Sequence, residues 1–229
     1  MQHASDYYAE LFGPEIEHNI QIDQSLWDEL DKVSDLENEL LCRPFCESEI
    51  KESLFQMEKN KAAGPDKIPI EFYQTCWEII KDDIMQLFLD FHEGKVDISR
   101  LNYGVITLLP KVSDATRIQQ YRPICLLNCL YKLITKVLTV RLEKIAEKLI
   151  HHNQTAFMKG RNIMSGIMIL HEILHETKRT KQIGVILKLD FEKAYDKVKW
   201  SFLFKCFEAR GFCPKWCEWI KKCGVWGNC

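Results

Sequence analysis

The sequence lacks both the long apolar run and the leader that mark membrane and secreted proteins. No apolar stretch in its 229 residues reaches the ~18 to 20 residues that a membrane-spanning helix needs. Residues 1–12 mix acidic and polar side chains where a secretory signal would be basic and then apolar. We therefore expect an intracellular protein, in the cytoplasm or the nucleus, with no membrane partner.

The sequence also lacks the C-x-x-C pairs of many zinc and redox sites, although it contains 10 cysteines. No histidine lies near the last four thiols, and the residues between them have the pattern of a helix, so a zinc site there is disfavoured. Free cysteine is more often a small buried apolar side chain than a ligand. A disulfide framework is less expected still in a reducing compartment. The last four thiols are Cys213, Cys217, Cys223 and Cys229.

Basic residues are scarce in the first half of the chain and acidic residues in the second, although the net charge of the whole chain is only −2. Residues 1–99 hold 8 basic and 23 acidic side chains, whereas residues 100–229 hold 23 basic and 10 acidic ones. A basic half suits a polyanion such as nucleic acid. Attraction between the two halves, or ordinary solvated helix faces, would explain the same counts.

Apolar periodicity and turn residues divide the first half of the chain into helices and strands. Helical spacing predicts a helix over 47–60, which the glycine and prolines of 61–69 end. A second apolar stripe predicts one long helix over 72–91. Two runs with strand composition, 103–109 and 124–127, flank a polar loop and predict a β-hairpin or β-flap.

Two further helices are predicted between the hairpin and residue 180. Asn128 is a suitable N-cap for a helix that continues to Leu149, with lysines and Arg141 on its other faces. The pattern of 163–179 predicts another helix. Its inward-facing residues are expected to be Ile167, Leu170 and Leu174.

The segment 183–190 alternates apolar residues and predicts a half-buried strand, followed by a helix over 192–210 that Gly211 ends. Pro214 begins one more short helix. Asp190 stands where this strand meets the helix N-terminus, and a carboxylate there suits a hard cation such as Mg²⁺ that also binds phosphate. A role for Asp190 as a plain helix N-cap fits the same pattern about equally well.

Six segments of the chain, taken in order, resemble the conserved blocks of LINE (non-LTR retrotransposon) reverse transcriptases. The fifth segment, 187–198, resembles motif A, and its residues are similar to those of plant LINE elements in particular. The segments are KAAGPDKIPIEFY (61–73), ITLLPK (106–111), YRPICLLNCLYKLITKVLTVRL (121–142), QTAFMKGRNI (154–163), LKLDFEKAYDKV (187–198), and GF followed by W-x-x-W-I (211–220).

The resemblance implies a role for three residues around motif A. Asp190 would hold Mg²⁺, helped by the backbone carbonyl of Phe191. Tyr195 would be the steric gate that excludes a ribose 2′-hydroxyl, although an ordinary core aromatic would give the same pattern. Two-metal phosphoryl transfer needs several carboxylates, so Asp190 alone does not complete such a site.

The resemblance also implies roles for four residues outside motif A. Lys111 and Arg122 flank the loop of the β-flap and would bind the phosphates of an incoming dNTP, because arginine can grip two oxygens at once. Their residue types alone fit an alternative equally well, in which both are solvated surface charges without a ligand. Gly160 and Arg161 would approach a nucleic-acid backbone, or form a simple turn before a helix.

The implied fold is α+β: mostly helical fingers and a partial palm of a right-hand polymerase, with a short β-flap and an incomplete palm sheet. We expect an acidic helical extension over 1–60, fingers over 61–182 and the start of a palm, truncated after motif A, over 183–229. The implied partners are an RNA template, a DNA primer and dNTPs. The paired aspartates of motif C do not follow Asp190 here, because Asp82-Asp83 is the sole adjacent pair. We expect an RNA-directed DNA polymerase fragment that is inactive alone; a non-catalytic nucleic-acid-binding remnant or a decayed coding fragment is the alternative.

Overall fold

The computed structural model describes residues 6–7, 21–23, 27–28, 31–189 and 198–224. Its fold is α+β, as the sequence predicted: helices surround a small antiparallel hairpin. In chain order the elements are α1 (Asp35–Cys42), α2 (Glu47–Phe55), α3 (Ile70–Thr75), α4 (Trp77–His92), β1 (Gly104–Pro110), β2 (Tyr121–Leu127), α5 (Cys129–Leu149), α6 (Ile163–Arg179), α7 (Trp200–Ala209) and α8 (Pro214–Gly224). None of the helices in these residues is long and apolar enough to cross a membrane.

Local signals explain where several helices begin and end. Ser34 and Glu37 form a capping box at the start of α1, in which the Glu37 amide donates to Ser34 Oγ at 3.3 Å. Gly211 follows α7 with a φ of +78°, the left-handed conformation that suits glycine after a helix. The predicted bounds of α6 and the start of α8 at Pro214 are confirmed.

Two predicted helices differ from the structure. The helix predicted over 47–60 ends at Phe55, and the segment after it contacts α3, where Gln74 Nε2 donates to the carbonyl of Met57 at 3.1 Å. The single helix predicted over 72–91 is two helices, α3 and α4, that meet at Cys76. Cys76 has a φ of −91° and a ψ of 11°, outside the helical region. Of the predicted apolar stripe, Ile84 and Phe88 are buried, whereas Phe72 and Ile79, on either side of Cys76, are 44% and 81% exposed.

The core lies between α1, α2, α4, α5 and α8. Helix α5 runs through it and contacts both α1 and α2, while α8 packs on α1. Each large apolar side chain buried in this way contributes roughly 1.5–3 kcal/mol to the free energy of unfolding. The largest fully buried side chains are Trp77, Trp216, Trp219, Phe88 and Phe91. The division of the chain into the three predicted regions stays a prediction.

The predicted hairpin is confirmed. Strands β1 and β2 pair antiparallel in a register that runs from Gly104 opposite Leu127 to Pro110 opposite Tyr121. The ladder continues one step further, because the amide of Lys111 donates to the carbonyl of Gln120 at 2.7 Å. Strand β1 has the predicted length, shifted by one residue, and β2 begins three residues earlier than the sequence indicated, so the loop between them is shorter.

The strand predicted over 183–190 is wrong for residues 183–189, which have no regular structure. Ile183 and Val185 are fully or almost fully exposed, at 101% and 93%. A strand is stable only when a neighbour satisfies its backbone groups, and within the described residues the one sheet contains β1 and β2 alone. The helix predicted over 192–210 begins at Trp200 in the part described, since 198 and 199 are not helical and 192–197 lie outside it.

The predicted burial of α6 is also wrong. Ile167, Leu170 and Leu174 were expected to face a core, but they are 55%, 47% and 41% exposed. The local pattern of an amphipathic helix is present, and no described element covers its apolar side. Amphipathic spacing therefore predicted the helix correctly without predicting what packs against it.

Candidate functional site

The two predicted cations of the β-flap lie on the same face of the hairpin. Side chains alternate along a strand, and Arg122 stands opposite Leu109 in the register, so Arg122 shares a face with Leu109 and with Lys111 two residues on. Both cationic side chains are exposed. Lys111 Nζ donates to the carbonyl of Gln119 at 2.8 Å, whereas no group in the described residues pairs with the guanidinium of Arg122. The hairpin thus presents two cations side by side, with donors available for an anion.

The loop that joins the strands is held by its own side chains. Gln120 Oε1 accepts from the amides of Thr116 and Arg117 at 2.8 and 2.9 Å. The hydroxyl of Tyr121 donates to the carbonyl of Ala115 at 2.9 Å. These three bonds close the loop over a short 3-10 turn, Ile118–Gln120. The position of Lys111 and Arg122 is therefore fixed by a braced turn as well as by the strand ladder.

The glycine-containing segment 61–69 anchors the base of the hairpin to the helices. A Cβ at Gly64 would lie 2.6 Å from the backbone nitrogen of Asn128 and from the carbonyl carbon of Leu127, so only glycine fits there. The amide of Asp66 donates to Asn128 Oδ1 at 3.3 Å. This close approach joins segment 61–69 to the point where β2 is followed by α5. The sequence marked Gly64 as a turn residue but gave no sign of its partner.

A cavity of about 570 Å³ opens between the end of α2, strand β2 and the start of α5. Ile124 and Leu126 line it, and their even-numbered positions place them on the same face of β2 as Arg122. Lys132 and Lys136, one turn apart on α5, supply positive charge to its wall. The cavity thus continues the cationic face of the hairpin and combines apolar surface with these two ammonium groups and the Glu58–Lys61 ion pair, in which Nζ and Oε2 lie 2.8 Å apart.

The two thiols that line this cavity add apolar surface rather than charge. Burial raises the pKa of Cys125 and of Cys129, so both remain protonated near neutral pH. The sequence missed this cavity because its members come from three separate segments. The one signal of this cavity in the sequence is the pair Lys132 and Lys136, four positions apart, which follows Cys129.

The guanidinium of Arg161 closes the C-terminal end of α5. Its two terminal nitrogens donate to four carbonyls: those of Glu147 and Ile150 at 3.2 and 2.8 Å, and those of His151 and Gln154 at 2.7 and 2.9 Å. The carbonyls of Glu147 and Ile150 stand at the end of α5, where carbonyls lack helical partners, whereas the carbonyl of His151 also accepts from the amide of Gln154 at 3.0 Å. Arg161 therefore has a structural role that the sequence did not reveal, and its predicted contact with nucleic acid stays a prediction.

Gly160, beside Arg161, is exposed and has a φ of +77°. A Cβ there would meet nothing within 4 Å. The left-handed conformation explains the glycine, and the open space leaves room for a ligand to approach the backbone.

Arg141 was expected on a face of α5 away from the apolar stripe, and its side chain is nevertheless buried, at 3% exposed. Its side chain pairs with Glu49, with a distance of 2.6 Å between Arg141 Nη2 and Glu49 Oε1. Helical periodicity places charged residues away from the core, and it does not reveal an ion-pair partner 92 positions away in sequence.

Comparison with known proteins identifies the family. The family model described as "Reverse transcriptase (RNA-dependent DNA polymerase)" matches residues 109–227, which is more than half of the chain and includes the hairpin cations, α5 and α8. The chain belongs to the reverse transcriptase family.

Relatives among curated proteins come from retrotransposons. The chain is 32% identical over 221 residues to the "Transposon TX1 uncharacterized 149 kDa protein" of Xenopus laevis, covering 95% of this chain and 17% of that protein. It is 26% identical over 166 residues to the "Retrovirus-related Pol polyprotein from type-1 retrotransposable element R1" of Bradysia coprophila, covering 71% of this chain and 16% of that one. A third match, at 25% over 105 residues, is the corresponding R2 polyprotein of Popillia japonica, of which 14% is covered.

These matches confirm the sequence-based identification of a reverse transcriptase domain of the non-LTR retrotransposon type. The chain spans about a sixth of the length of the curated relatives that it matches.

The residues predicted to form motif A, Asp190, Phe191 and Tyr195, lie outside the described residues, so their roles stay predictions. The described part brings together no group of three or more histidine, cysteine, aspartate or glutamate side chains that could hold a metal ion. Reverse transcriptases use divalent metal ions, and a two-metal site takes several carboxylates.

Proposed function

We propose that this chain supplies the nucleotide-binding flap, the fingers and the start of the palm of a retrotransposon RNA-directed DNA polymerase. Its partners would be an RNA template, a DNA primer and dNTPs. The observation that carries the proposal is the shared face of Lys111 and Arg122, which lies within the segment matched by the reverse transcriptase family. The residues of the predicted motif A, 187–198, further support a retrotransposon of the plant LINE type.

The geometry of the flap suits a triphosphate. Arg122 can hold two phosphate oxygens through its planar guanidinium. Lys111 uses one donor on the carbonyl of Gln119 and keeps its other N–H groups for a second phosphate. The cavity on the same face, with Lys132 and Lys136 in its wall, extends the positive surface from the flap toward the helices.

Motif A would contribute the metal-binding part. Asp190, with the carbonyl of Phe191, would hold Mg²⁺, and Tyr195 would exclude a ribose 2′-hydroxyl. Gly160 and Arg161 would lie beside the nucleic-acid backbone. Because no paired aspartates follow Asp190 in these 229 residues, we expect no nucleotide addition by this chain alone.

Nucleotide binding tests the flap directly. The change in polarisation of a fluorescently labelled dNTP would be measured with the purified chain and with Arg122→Ala and Lys111→Ala. A charged hydrogen bond contributes about 1.5–3 kcal/mol, so each variant should weaken binding by roughly tenfold or more. Arg117→Ala is the matched control, since Arg117 is an exposed arginine of the same hairpin loop. Equal weakening by all three variants would show that general surface charge, and no flap site, binds the nucleotide.

Primer extension separates catalysis from binding. With RNA template, DNA primer, dNTPs and Mg²⁺, the chain should extend no more primer than its Asp190→Ala variant. Extension above that background would refute the expectation that these residues are inactive alone.

A second candidate, a nucleic-acid-binding remnant without catalysis, is favoured by the excess of basic residues over 100–229. Its RNA affinity would fall steeply between 50 and 200 mM salt, by about 10³-fold for six or more phosphate contacts. It would also be unchanged by Asp190→Ala. Undetectable RNA binding at low salt would exclude this candidate.

A further inference from the structure

Two cysteines from opposite ends of the chain meet at the surface of the core. Cys42 is the last residue of α1, and Cys213 directly precedes α8. Their sulfur atoms lie 2.9 Å apart although 171 positions separate them in sequence. We propose that Cys42 and Cys213 are a redox-active pair that closes to a disulfide when the chain meets an oxidising thiol reagent.

The backbone around these thiols is held in place without help from the sulfurs. Asn38, one turn before Cys42, donates from Nδ2 to the carbonyl of Gly211 at 2.8 Å. Its Oδ1 accepts from the amide of Cys213, also at 2.8 Å. The amide of Val33 donates to the carbonyl of Arg210 at 2.8 Å. These bonds fasten the turn over 210–213 to α1, so the thiols are brought together by the fold itself.

Little movement separates the thiols from a bond. A disulfide has an S–S distance of about 2.05 Å, so the sulfurs need to approach by less than about 1 Å. Cys217, one turn further along α8, is half-buried and offers the nearest alternative thiol in sequence. Asn38 binds the backbone of Cys213 rather than that of Cys217, which favours Cys213 as the partner of Cys42.

The environment makes Cys42 slow to attack at neutral pH. Burial, followed by the neighbouring Cys213, raises the pKa of Cys42 to about 12, while Lys215 and Arg141 act in the opposite direction. Only the thiolate attacks a disulfide. Cys42 is therefore a poor nucleophile at neutral pH, and alkaline pH should speed its attack.

The chemistry balances with a small disulfide such as oxidised glutathione as the oxidant. One protein thiolate attacks a glutathione sulfur, which forms a mixed disulfide and releases one glutathione thiol. The second protein thiolate then attacks the protein sulfur of that mixed disulfide and releases the other glutathione. The two cysteines lose two electrons and two protons in total, and the glutathione disulfide takes them up.

Closing the pair would tie the first helix of the core to the last. A cross-link over 171 positions restricts the unfolded chain strongly. For a chain of this size we expect the melting temperature to rise by about 10 °C on oxidation. The pair would thus stabilise the acidic N-terminal part against the segment that follows motif A.

The full 229-residue chain, purified reduced, provides the test. It would be incubated for hours at alkaline pH with oxidised glutathione, alkylated, digested and mapped by mass spectrometry, with a melting curve taken before and after. The expected result is a Cys42–Cys213 linked peptide together with the rise in melting temperature. Cys42→Ser and Cys213→Ser should lose both, and the matched control Cys217→Ser should keep both.

Three results would overturn the proposal. One is a linked peptide no more abundant than pairings with Cys217 or with the exposed Cys46. Another is a rise in melting temperature that persists in Cys42→Ser. The third is a cross-link that forms equally well in urea, because the fold would then have no part in choosing the pair. Peptide mapping of the unaltered chain decides the matter even if a serine variant fails to fold.

Discussion

Replacing Arg141 with methionine removes a buried cation while keeping a side chain of similar length. Arg141 Nε and Nη2 donate to the two carboxylate oxygens of Glu49 at 3.1 and 2.6 Å. The remaining donors reach the carbonyls of Leu41, Arg43 and Pro44 at 2.8, 2.7 and 3.1 Å. All five N–H groups of the guanidinium are therefore used.

The cost of the replacement follows from what remains behind. Glu49 keeps only 15% of its side chain exposed and would lose its buried partner, and three carbonyls would lose donors. Removing one member of a buried ion pair costs about 3–5 kcal/mol. The free energy of unfolding of a domain is about 5–15 kcal/mol, so Arg141→Met should remove a large share of it. The contact of the guanidinium with the Phe45 ring, 4.0 Å from the centroid, is lost as well.

Urea unfolding, followed by circular dichroism at pH 7, measures this loss. The matched control is Arg43→Met, because Arg43 lies 3.9 Å from the same Glu49 carboxylate but keeps 45% of its side chain exposed. An exposed pair contributes about 0–1 kcal/mol. The reasoning fails if Arg141→Met unfolds within about 1 kcal/mol of the unaltered chain, or if both variants cost the same.

The pH dependence gives a second check on Arg141. Burial raises the pKa of Glu49, but the hydrogen bonds from Arg141 and from the amide of Cys46, together with the charges of Arg141 and Arg43, outweigh burial, and that pKa lies below its usual range. A lowered folded-state pKa contributes stability that is present above the unfolded pKa of 4.5 and is lost as the pH falls through the folded value. Without Arg141 this contribution is smaller, because only the Cys46 amide and the Arg43 charge still lower the pKa of Glu49. The difference in stability between the two proteins should therefore shrink as the pH is lowered from 7 to below 4.5.

Three other expectations can be checked on the same chain. Gly64→Ala should cost about 1–3 kcal/mol in urea unfolding, because its Cβ would lie 2.6 Å from the Asn128 nitrogen, whereas Gly184→Ala, with its nearest neighbour at 3.8 Å, should be close to neutral. The backbone of Ser34 and then Lys148 lower the pKa of Glu37 to about 2, so stability should fall between pH 4.5 and 2, and Glu37→Gln should show a smaller fall. Amide exchange over 183–189 should approach the rate of unstructured chain, and protection there would contradict the described structure.

Local signals in the sequence predicted local structure well. Asn128 stands at the N-cap of α5 and α6 has its predicted bounds, because helix caps and apolar spacing act over a few residues. The hairpin was predicted from two apolar runs around a polar loop. Its register then placed Lys111 and Arg122 on one face, so this part of the candidate site was accessible from sequence.

What the sequence could not show depends on distant partners. The burial of Arg141 was not predicted because its acceptors lie about 100 positions earlier in the chain. Arg161 was expected at a ligand, but the end of α5 takes up its donors. Segment 183–189 has strand composition, yet a strand forms only beside another strand, and composition does not reveal whether one is available.

The exposed apolar side of α6 has a consequence for how the chain behaves in solution. Ile167 and Ile173 are each more than half exposed, and Leu174 lies on the same helix at 41%. With a net charge of −2, long-range repulsion between molecules is weak, so attraction between these helices governs colloidal stability. Solubility should then depend steeply on protein concentration and improve with a glutamate at Ile167. Such a change would leave the unfolding free energy almost untouched, since more than half of that side chain's surface is already in water.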